Sequence, residues 1–492
     1  MSSLTLSKST FVRGLQCEKS LYLHKKHPDF RNEISDAQEA IFAQGTDVGK
    51  LAQDLFPGGV DCSFEDFSQI DQCISDTVEY IKDGKRVIYE AAFRYDNVLV
   101  FADILVLHKD GWKMYEVKSS TKVKDTYLRD AALQTYVIRN CGVGLVDIYV
   151  IHINNQYVRN GELELDRLFN IVSVKKEVEE LLPEIPGAIV QLQQVLQGDA
   201  IPEKSIGAHC SNPYPCDFSE YCWRDVLDKS VFDVRGLGAN RKFELFRDGV
   251  SQMVDIPDNF KLNDKQRKQI AGEQTGQIFI ERGPIKAFVD SLNYPLYFLD
   301  FETIGPAVPL FDFTSPYRQF PFQYSLHVLW EKGGALEHFE YLAETDGTDP
   351  RIKFIQQLID DCGTVGDVVV YNRGFEQGKL RDLAGHFHQY KTSLLAIHDR
   401  MVDLMIPFQK GWYYTPDMNG SHSIKAVLPA LVPELSYKEL EIGDGGSASR
   451  IFEAMAAGTF DRDFDKTREQ LLKYCELDTL AMVKILEKLQ AI

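Results

Sequence analysis

The chain has 492 residues, which at about 150 residues per domain predicts two to four domains. Hydrophobic residues make up 44% and aromatic residues 11%, a composition typical of globular cores and unlike that of a disordered chain. The 54 basic and 73 acidic residues give a net charge of −19, which excludes a basic nucleic-acid coat protein. It does not exclude enzymes that gather carboxylates to hold Mg²⁺ against a phosphate.

Neither a membrane protein nor a secreted protein is expected. The best apolar run, Val98 to Leu107, is interrupted by Asp103 and is shorter than the roughly 18 residues of a membrane helix. Residues 1–8 contain no apolar stretch of the signal-peptide type. The nine cysteines, an odd number, argue against a disulfide framework. We therefore expect a cytoplasmic protein whose thiols are reduced or bound to metal.

A β-hairpin with polar residues on one face is predicted in the first half of the chain. The segment 98–107 reads as a strand that contains Asp103, and the Asp-Gly pair at 110–111 is a hairpin signal. The returning strand carries Glu116 and Lys118, which lie two residues apart and therefore share a face. The hairpin brings both side chains alongside Asp103.

These side chains suit metal-dependent phosphodiester cleavage. Asp103 and Glu116 can bind Mg²⁺ or Mn²⁺, while Lys118 orients the attacking water or neutralises charge in the transition state. Glu90, expected at the end of an earlier strand, is a further candidate ligand. The alternative is a surface hairpin with a solvated Glu–Lys pair. An aspartate between apolar neighbours argues against it, because burial without a partner is costly.

Asp103, the Glu116-Val-Lys118 triplet and Gln134-x-Tyr136 resemble the motifs of the PD-(D/E)XK nuclease superfamily. They are most similar to its RecB-like branch, which includes the CRISPR-associated RecB-like exonucleases. Gly49 stands where that branch often has a metal-binding histidine. The resemblance implies two groups of site residues: Lys118, Gln134 and Tyr136 as catalytic residues, and Glu90, Asp103 and Glu116 as metal ligands.

A group of cysteines suggests a further metal site. Cys210, Cys216 and Cys222 have five residues between successive members in a proline-rich turn, a pattern that indicates soft-metal coordination. Cys17 is the natural candidate for a fourth ligand. The same RecB-like nucleases hold a [4Fe–4S] cluster on one early and three late cysteines, so the resemblance implies such a cluster here. Zinc would also satisfy four thiolates, and unligated thiols are a third possibility.

Residues 226–289 are predicted to form a helical connector, with helical patterns at 241–248 and 263–270. A second α/β pattern then begins. The strand-like run 296–299 leads into Asp300 and Glu302, which share a face, and a second apolar strand at 367–372 precedes Glu376.

A helix near 471–480 places Tyr474 and Asp478 four residues apart on one face. Together with Asp300, Glu302 and Glu376, Asp478 would hold two metal ions about 4 Å apart, and Tyr474 would position the attacking water. The spacings Asp-x-Glu, Asn-x-x-Phe-acid and Tyr-x-x-x-Asp resemble the three motifs of DnaQ-like, ribonuclease-H-fold 3′→5′ exonucleases. Glu376 replaces the usual aspartate of the second motif.

The resemblances imply an α/β chain with a restriction-endonuclease-like domain at 1–225, the connector at 226–289 and a DnaQ-like domain at 290–492. This order is similar to that of a bacterial family of unknown function. We expect a metal-dependent nuclease that acts on DNA, at single-stranded ends. Two alternatives stay open. One is an RNA-trimming exonuclease, and the other is a non-catalytic nucleic-acid scaffold, which Gly49 and Glu376 favour. The sequence indicates no particular protein partner.

Overall fold

The computed structural model describes residues 5–64, 66–437 and 440–492. The chain is mixed α/β and divides into two compact units. The first unit runs to Asp225 and includes Ala307–Tyr317, and the second comprises Val226–Pro306 and Arg318–Ile492. The segment predicted as a connector is thus part of the second unit. Across the described residues, no helix is long and apolar enough to cross a membrane.

The first unit is built around one β-sheet. Its strands are β1 (Leu6–Ser7), β2 (Val60–Asp61), β3 (Val87–Tyr95), β4 (Val98–His108), β5 (Gly111–Lys118), β6 (Leu145–Ile153) and β7 (Phe169–Ser173). Its helices are α1 (Lys8–Gln16), α2 (Glu18–Lys26), α3 (Asp36–Gln53), α4 (Ile70–Lys82), α5 (Asp125–Asn140), α6 (Leu165–Leu168), α7 (Lys175–Leu181), α8 (Ile185–Gln197) and α9 (Ser219–Trp223). In the described part of this unit, seven strands join in the order β2-β3-β4-β5-β6-β7, with β1 paired to β4.

The predicted hairpin is confirmed as β4 and β5, which pair antiparallel. His108 pairs with Gly111, so the turn residues are Lys109 and Asp110, one position earlier than predicted. Gly111 opens β5 with a φ of 133°, and a Cβ there would lie 2.6 Å from a methyl group of Val146. Glycine is therefore needed for the return strand and not for the turn itself.

The second unit contains the elements after Val226. Its strands are β8 (Phe279–Ile280), β9 (Leu296–Ile304), β10 (Phe320–Leu329), β11 (Leu336–Leu342), β12 (Asp367–Val370), β13 (Met401–Asp403) and β14 (Tyr413–Tyr414). Its helices are α10 (Ala239–Arg247), α11 (Asp264–Thr275), α12 (Arg282–Asp290), α13 (Arg351–Asp361), α14 (Arg373–His386), α15 (Lys391–Asp399), α16 (Ile406–Gln409), α17 (Ile424–Leu431), α18 (Gly445–Ala456) and α19 (Phe464–Gln490).

The larger sheet of this unit is mixed. Among the described residues it has five strands in the order β11-β10-β9-β12-β13. β9, β10 and β11 pair antiparallel, whereas β9, β12 and β13 pair parallel. The parallel strands end at the same edge, so residues that follow them meet there. β9 is buried along almost its whole length because elements cover both faces, and α19 buries a long stripe that includes Leu471 and Met482.

The two helical patterns of the former connector are confirmed as α10 and α11. Asn263 caps α11 by accepting a hydrogen bond from the backbone N–H of Gln266. The segment joins the second unit because β8, which follows these helices, pairs antiparallel with β14.

Candidate metal centres

In the first unit, acidic residues form a row across three neighbouring strands. The ladder pairs on either side place Glu90 of β3 opposite Asp103 of β4. The β4–β5 ladder ends at the Ile104–Tyr115 pair, and Asp103 and Glu116 are the next residues on the two strands, with Val117 N–H donating to Asp103. Glu90 lies inside β3 and not at its end, with a left-handed φ of 51°. Such a backbone costs roughly 1–3 kcal/mol and is found most often where function requires it.

Glu116 is fully buried and accepts three hydrogen bonds. Its Oε1 accepts from Lys118 Nζ at 2.6 Å and from Lys8 Nζ at 2.7 Å, while Oε2 accepts from Gln134 Nε2 at 2.7 Å. Asp103 accepts from the backbone N–H of Val117 at 2.6 Å, and its other oxygen lies 3.5 Å from Lys8 Nζ. Two ammonium groups therefore share these two carboxylates.

The helix α5 contributes a further carboxylate. Asp130 accepts from Lys118 Nζ at 2.8 Å and from Gln134 Nε2 at 3.2 Å. Tyr136 is not brought to this cluster. Two residues along a helix from Gln134, it points to another side and packs on Tyr95, with ring centroids 5.8 Å apart. Asp130, one helical turn before Gln134, lies in the cluster instead.

The lysines dominate the electrostatics of this cluster. Burial acts to raise the pKa of Glu116, but Lys118 and Lys8 outweigh it and hold the pKa well below its usual value. Burial raises the pKa of Asp103 to about 6, and the Glu116 carboxylate adds to the shift. Burial and Asp103 raise the pKa of Glu90 to about 8. The row thus contains one firmly ionised carboxylate and two that take up protons more readily.

Two members of this cluster were missed by sequence reasoning. Asp130 carries a usable signal, since its i,i+4 spacing from Gln134 places both on one helical face. Lys8 carries none, because its contact with Glu116 spans 108 residues.

In the second unit, three predicted ligands come together. Asp300 and Glu302 lie on β9 and Asp478 on α19, and one carboxylate oxygen from each lies within 4.8 Å of the other two. Glu376 sits in the first turn of α14 and is buried. It does not belong to the group within 4.8 Å, although its charge is among the causes that raise the pKa of Asp300. Among the described residues, no hydrogen-bond donor reaches Glu376 Oε2.

Two tyrosines and a lysine border this trio. Tyr437 donates a hydrogen bond to Asp478 at 2.6 Å, and Tyr474 lies one helical turn before Asp478 on α19. Lys425 Nζ lies 5.5 Å from the ring centroids of both tyrosines and donates to the carbonyl oxygen of Gly443 at 2.8 Å. The structure places Tyr474 as its four-residue spacing from Asp478 suggested. Tyr437 was missed, since no spacing rule links it to α19.

Here burial is the main cause of the raised pKa values, and neighbouring carboxylates add to it for Asp300 and Glu302. Burial and the neighbouring Asp478 and Glu302 raise the pKa of Asp300 well above its usual value. Burial and Asp478 raise the pKa of Glu302 to about 8, while Lys425 opposes the shift. Burial raises the pKa of Glu376 to about 8 and that of Asp478 to about 6. A divalent cation is the partner that would let these groups ionise together.

The four predicted cysteine ligands line one pocket of the first unit; they are Cys17, Cys210, Cys216 and Cys222. Cys17 separates α1 from α2, and Cys222 lies on α9. Gln16 Nε2 links the end of α1 to the segment of the later cysteines by donating to the carbonyl oxygen of His209 at 2.7 Å. Burial raises the pKa of Cys17 and Cys222. Within the described residues, no three of the four sulfur atoms lie within 4.8 Å of one another.

Comparison with known proteins finds a family model and relatives that match this chain, and their descriptions name no activity. Residues 297–423, which include Asp300, Glu302 and Glu376, match the model of a family described as a domain of unknown function (DUF2779). An uncharacterized protein of Ureaplasma parvum is 26% identical over 43% of this chain and 33% of its own length. An uncharacterized protein of Mycoplasma genitalium is 21% identical over 71% of this chain and 60% of its own length. Another, of Mycoplasma pneumoniae, is 27% identical over 41% of this chain and 33% of its own length. The chain thus covers between a third and three fifths of these relatives.

Proposed function

We propose that this chain is a metal-dependent nuclease that hydrolyses phosphodiester bonds of DNA, exonucleolytically and at single-stranded ends. The observation that carries the proposal is the trio Asp300, Glu302 and Asp478. Its carboxylate oxygens converge from a strand and a distant helix without a lysine bonded to any of them in the described structure. Oxygen donors gathered in this way are the ligands of Mg²⁺ and Mn²⁺.

The second unit offers a role for each side chain under this proposal. Asp300, Glu302, Glu376 and Asp478 would hold the metal, and Glu376 Oε2 fits because it is buried without a donor. Bound Mg²⁺ or Mn²⁺ supplies an activated water and stabilisation of the leaving oxygen. Tyr474 orients the water by its hydroxyl, and Tyr437 fixes the carboxylate of Asp478 by its hydrogen bond. This assignment agrees with the proposed DnaQ-like, ribonuclease-H-like character of residues 290–492.

For the first unit we propose a RecB-like, restriction-endonuclease-like domain at 1–225, with Asp103, Glu116 and Lys118 as its centre. The strand row and the ion pair between Lys118 and Glu116 support this assignment. A specific observation favours a second candidate for this unit, which is nucleic-acid binding without cleavage. Lys8 pairs with Glu116 and lies near Asp103, so an ammonium group already occupies a position beside two carboxylates that a metal would bind.

We propose further that Cys17, Cys210, Cys216 and Cys222 hold a [4Fe–4S] cluster. The pocket that the four thiols share supports a bound group. One early and three late cysteines are also the arrangement in which the RecB-like nucleases that this unit resembles hold such a cluster. The cluster would stabilise the fold by joining residues far apart in the chain. Iron and sulfide analysis of anaerobically purified protein tests this, and a colourless, zinc-loaded protein would contradict it.

The nuclease proposal is tested by digestion of end-labelled single-stranded DNA and RNA in Mg²⁺, in Mn²⁺ and in EDTA. Wild type is compared with Asp300→Asn, Lys118→Ala and the matched control Asp290→Asn, an exposed carboxylate on α12. We expect Asp300→Asn to slow DNA cleavage roughly a thousandfold, since a metal ligand supplies several kcal/mol of transition-state stabilisation. Asp290→Asn should cleave like wild type.

Each outcome decides a separate point. If Lys118→Ala cleaves normally while Asp300→Asn does not, the first unit binds without cleaving. If RNA is degraded and DNA is not, the RNA-trimming alternative replaces the DNA proposal. If no polymer is cut with any metal, the chain is a scaffold.

A further inference from the structure

A second group of metal-binding side chains lies in the second unit, outside the acidic trio. His327 of β10 and His338 of β11 face each other across the antiparallel ladder, with stacked rings whose centroids are 4.4 Å apart. Glu476 of α19 approaches them. One ligand atom from each of the three residues lies within 4.8 Å of the other two.

We propose that His327, His338 and Glu476 form a binding site for a divalent transition-metal ion, zinc in the first instance. Two imidazole nitrogens and one carboxylate oxygen are a donor set that zinc uses with a further position left to water. The imidazole nitrogens also give this site a different metal preference from the acidic trio, whose oxygen donors favour Mg²⁺ and Mn²⁺.

Hydroxyl groups behind the histidines fix their orientation. Thr479 Oγ1 lies 2.8 Å from His327 Nδ1, and Ser325 Oγ lies 2.9 Å from His338 Nε2. The two hydroxyls are themselves 2.7 Å apart. Each ring thus has one nitrogen engaged by a hydroxyl, which leaves Nε2 of His327 and Nδ1 of His338 as the nitrogens for a metal. Histidine ligands are typically oriented by a second hydrogen bond of this kind.

Burial also suits the site. His327 is buried, His338 is exposed and Glu476 is intermediate, so an ion can enter from solvent and still contact a fixed inner ligand.

The position of the site indicates what a bound ion would do. β11 is the edge strand of the five-stranded sheet in the described residues, and α19 carries Tyr474 and Asp478. An ion bound to His338 and Glu476 would join that edge strand to the helix. The site would stabilise the packing of α19 on the sheet through atoms that the acidic trio does not use.

The test is calorimetric titration of Zn²⁺ into the full chain with Mg²⁺ in excess. The variants are His338→Ala, Glu476→Gln and the matched control His386→Ala, an exposed histidine on α14. The cysteines are the same in all of them, so zinc bound by thiols cancels in the comparison. We expect His338→Ala to lose one equivalent of zinc, Glu476→Gln to bind that equivalent at least about tenfold more weakly, and His386→Ala to match wild type.

The proposal is overturned if His338→Ala keeps the full zinc stoichiometry, or if His386→Ala loses as much zinc. Circular dichroism of each variant verifies folding, and His338 is exposed enough for its removal to be tolerated. Asp300→Asn should keep the zinc equivalent even if it loses nuclease activity. Loss of zinc in Asp300→Asn would assign the ion to the acidic trio and would also overturn the site.

Discussion

The two units bury carboxylates in different ways. In the first unit, Glu116 is paired with two lysines and its pKa lies well below the usual value. In the second, Asp300 faces other carboxylates and its pKa lies well above the usual value. Glu116 is fully buried and Asp300 is partly buried, and burial acts to raise the pKa of both, so the opposite shifts follow from the neighbouring charges. The chain itself supplies two lysines to Glu116, whereas in the described residues no lysine is bonded to the trio, for which we propose a metal ion as the missing counter-charge.

This difference in counter-charge bears on whether each cluster stabilises the fold or is suited to bind a ligand. An ion pair that the chain supplies makes the folded state less dependent on any ligand. Carboxylates without such a partner destabilise the fold until a metal binds, a cost that is typical of functional sites. On this basis the second unit is our first candidate for the nuclease activity that we propose.

The largest expected effect comes from Glu116→Gln. An amide cannot balance the ammonium groups of Lys8 and Lys118, and breaking a buried pair costs about 3–5 kcal/mol. We expect that loss in the free energy of unfolding of the first unit. Urea unfolding followed by hydrogen exchange of peptides from each unit measures it separately for the two units.

The control for this effect is Glu164→Gln, which removes an exposed ion pair with Arg167. We expect less than about 1 kcal/mol there. Equal losses in the two variants would show that the buried cluster is no more important to stability than a surface pair.

The second prediction concerns the acidic trio, where removing a carboxylate should raise stability, the opposite of the effect expected for Glu116→Gln. An acid whose folded pKa is raised destabilises the fold at pH values above its unfolded pKa, so Asp300→Asn should stabilise the metal-free second unit at neutral pH. Mg²⁺ at a hundred times its dissociation constant should stabilise wild type by about 2.7 kcal/mol and stabilise the variant less. Thermal unfolding with and without Mg²⁺ measures both effects. A destabilised variant would contradict our account of this cluster.

The sequence predicted the parts of each site that follow from short-range geometry. Glu116 and Lys118 share a strand face, and Tyr474 and Asp478 share a helix face, because those spacings fix direction. The apolar run before Asp300 likewise predicted β9, since a buried strand needs apolar residues on both faces.

Other parts depend on tertiary contacts that local spacing does not encode. Lys8 reaches Glu116 across 108 residues, and Tyr437 reaches Asp478 across 41. Tyr136 was predicted from its motif spacing to Gln134, but its side chain lies on another side of α5, where it packs on Tyr95. Glu90 was expected at a strand end, but it lies within β3 opposite Asp103.

The third prediction tests whether Lys8 takes the place of a metal. Lys8→Met keeps the aliphatic stem and removes a charged hydrogen bond to Glu116, which should lower the stability of the first unit by about 2 kcal/mol. The same change should increase Mg²⁺-dependent protection of β4 and β5 in hydrogen exchange, since Asp103 and Glu116 then lack one counter-charge. Lys176→Met, an exposed lysine on α7, is the control. A stability loss without new Mg²⁺ dependence would give Lys8 a structural role only.

The smallest expected effect is at Gly445, the first residue of α18. A Cβ there would lie 3.0 Å from Glu302 Oε2, so Gly445→Ala should displace that carboxylate by a few tenths of an ångström. Because the position has no positive φ, we expect unchanged or slightly raised helix stability together with about tenfold slower cleavage, equivalent to about 1.4 kcal/mol.

The control is Gly443→Ala, where an added Cβ meets no atom within 4 Å. Cleavage rates at saturating Mg²⁺ and thermal unfolding separate the two effects. If both variants cleave like wild type, the carboxylate of Glu302 is not a ligand whose position limits the reaction, and the trio would reduce to Asp300 and Asp478.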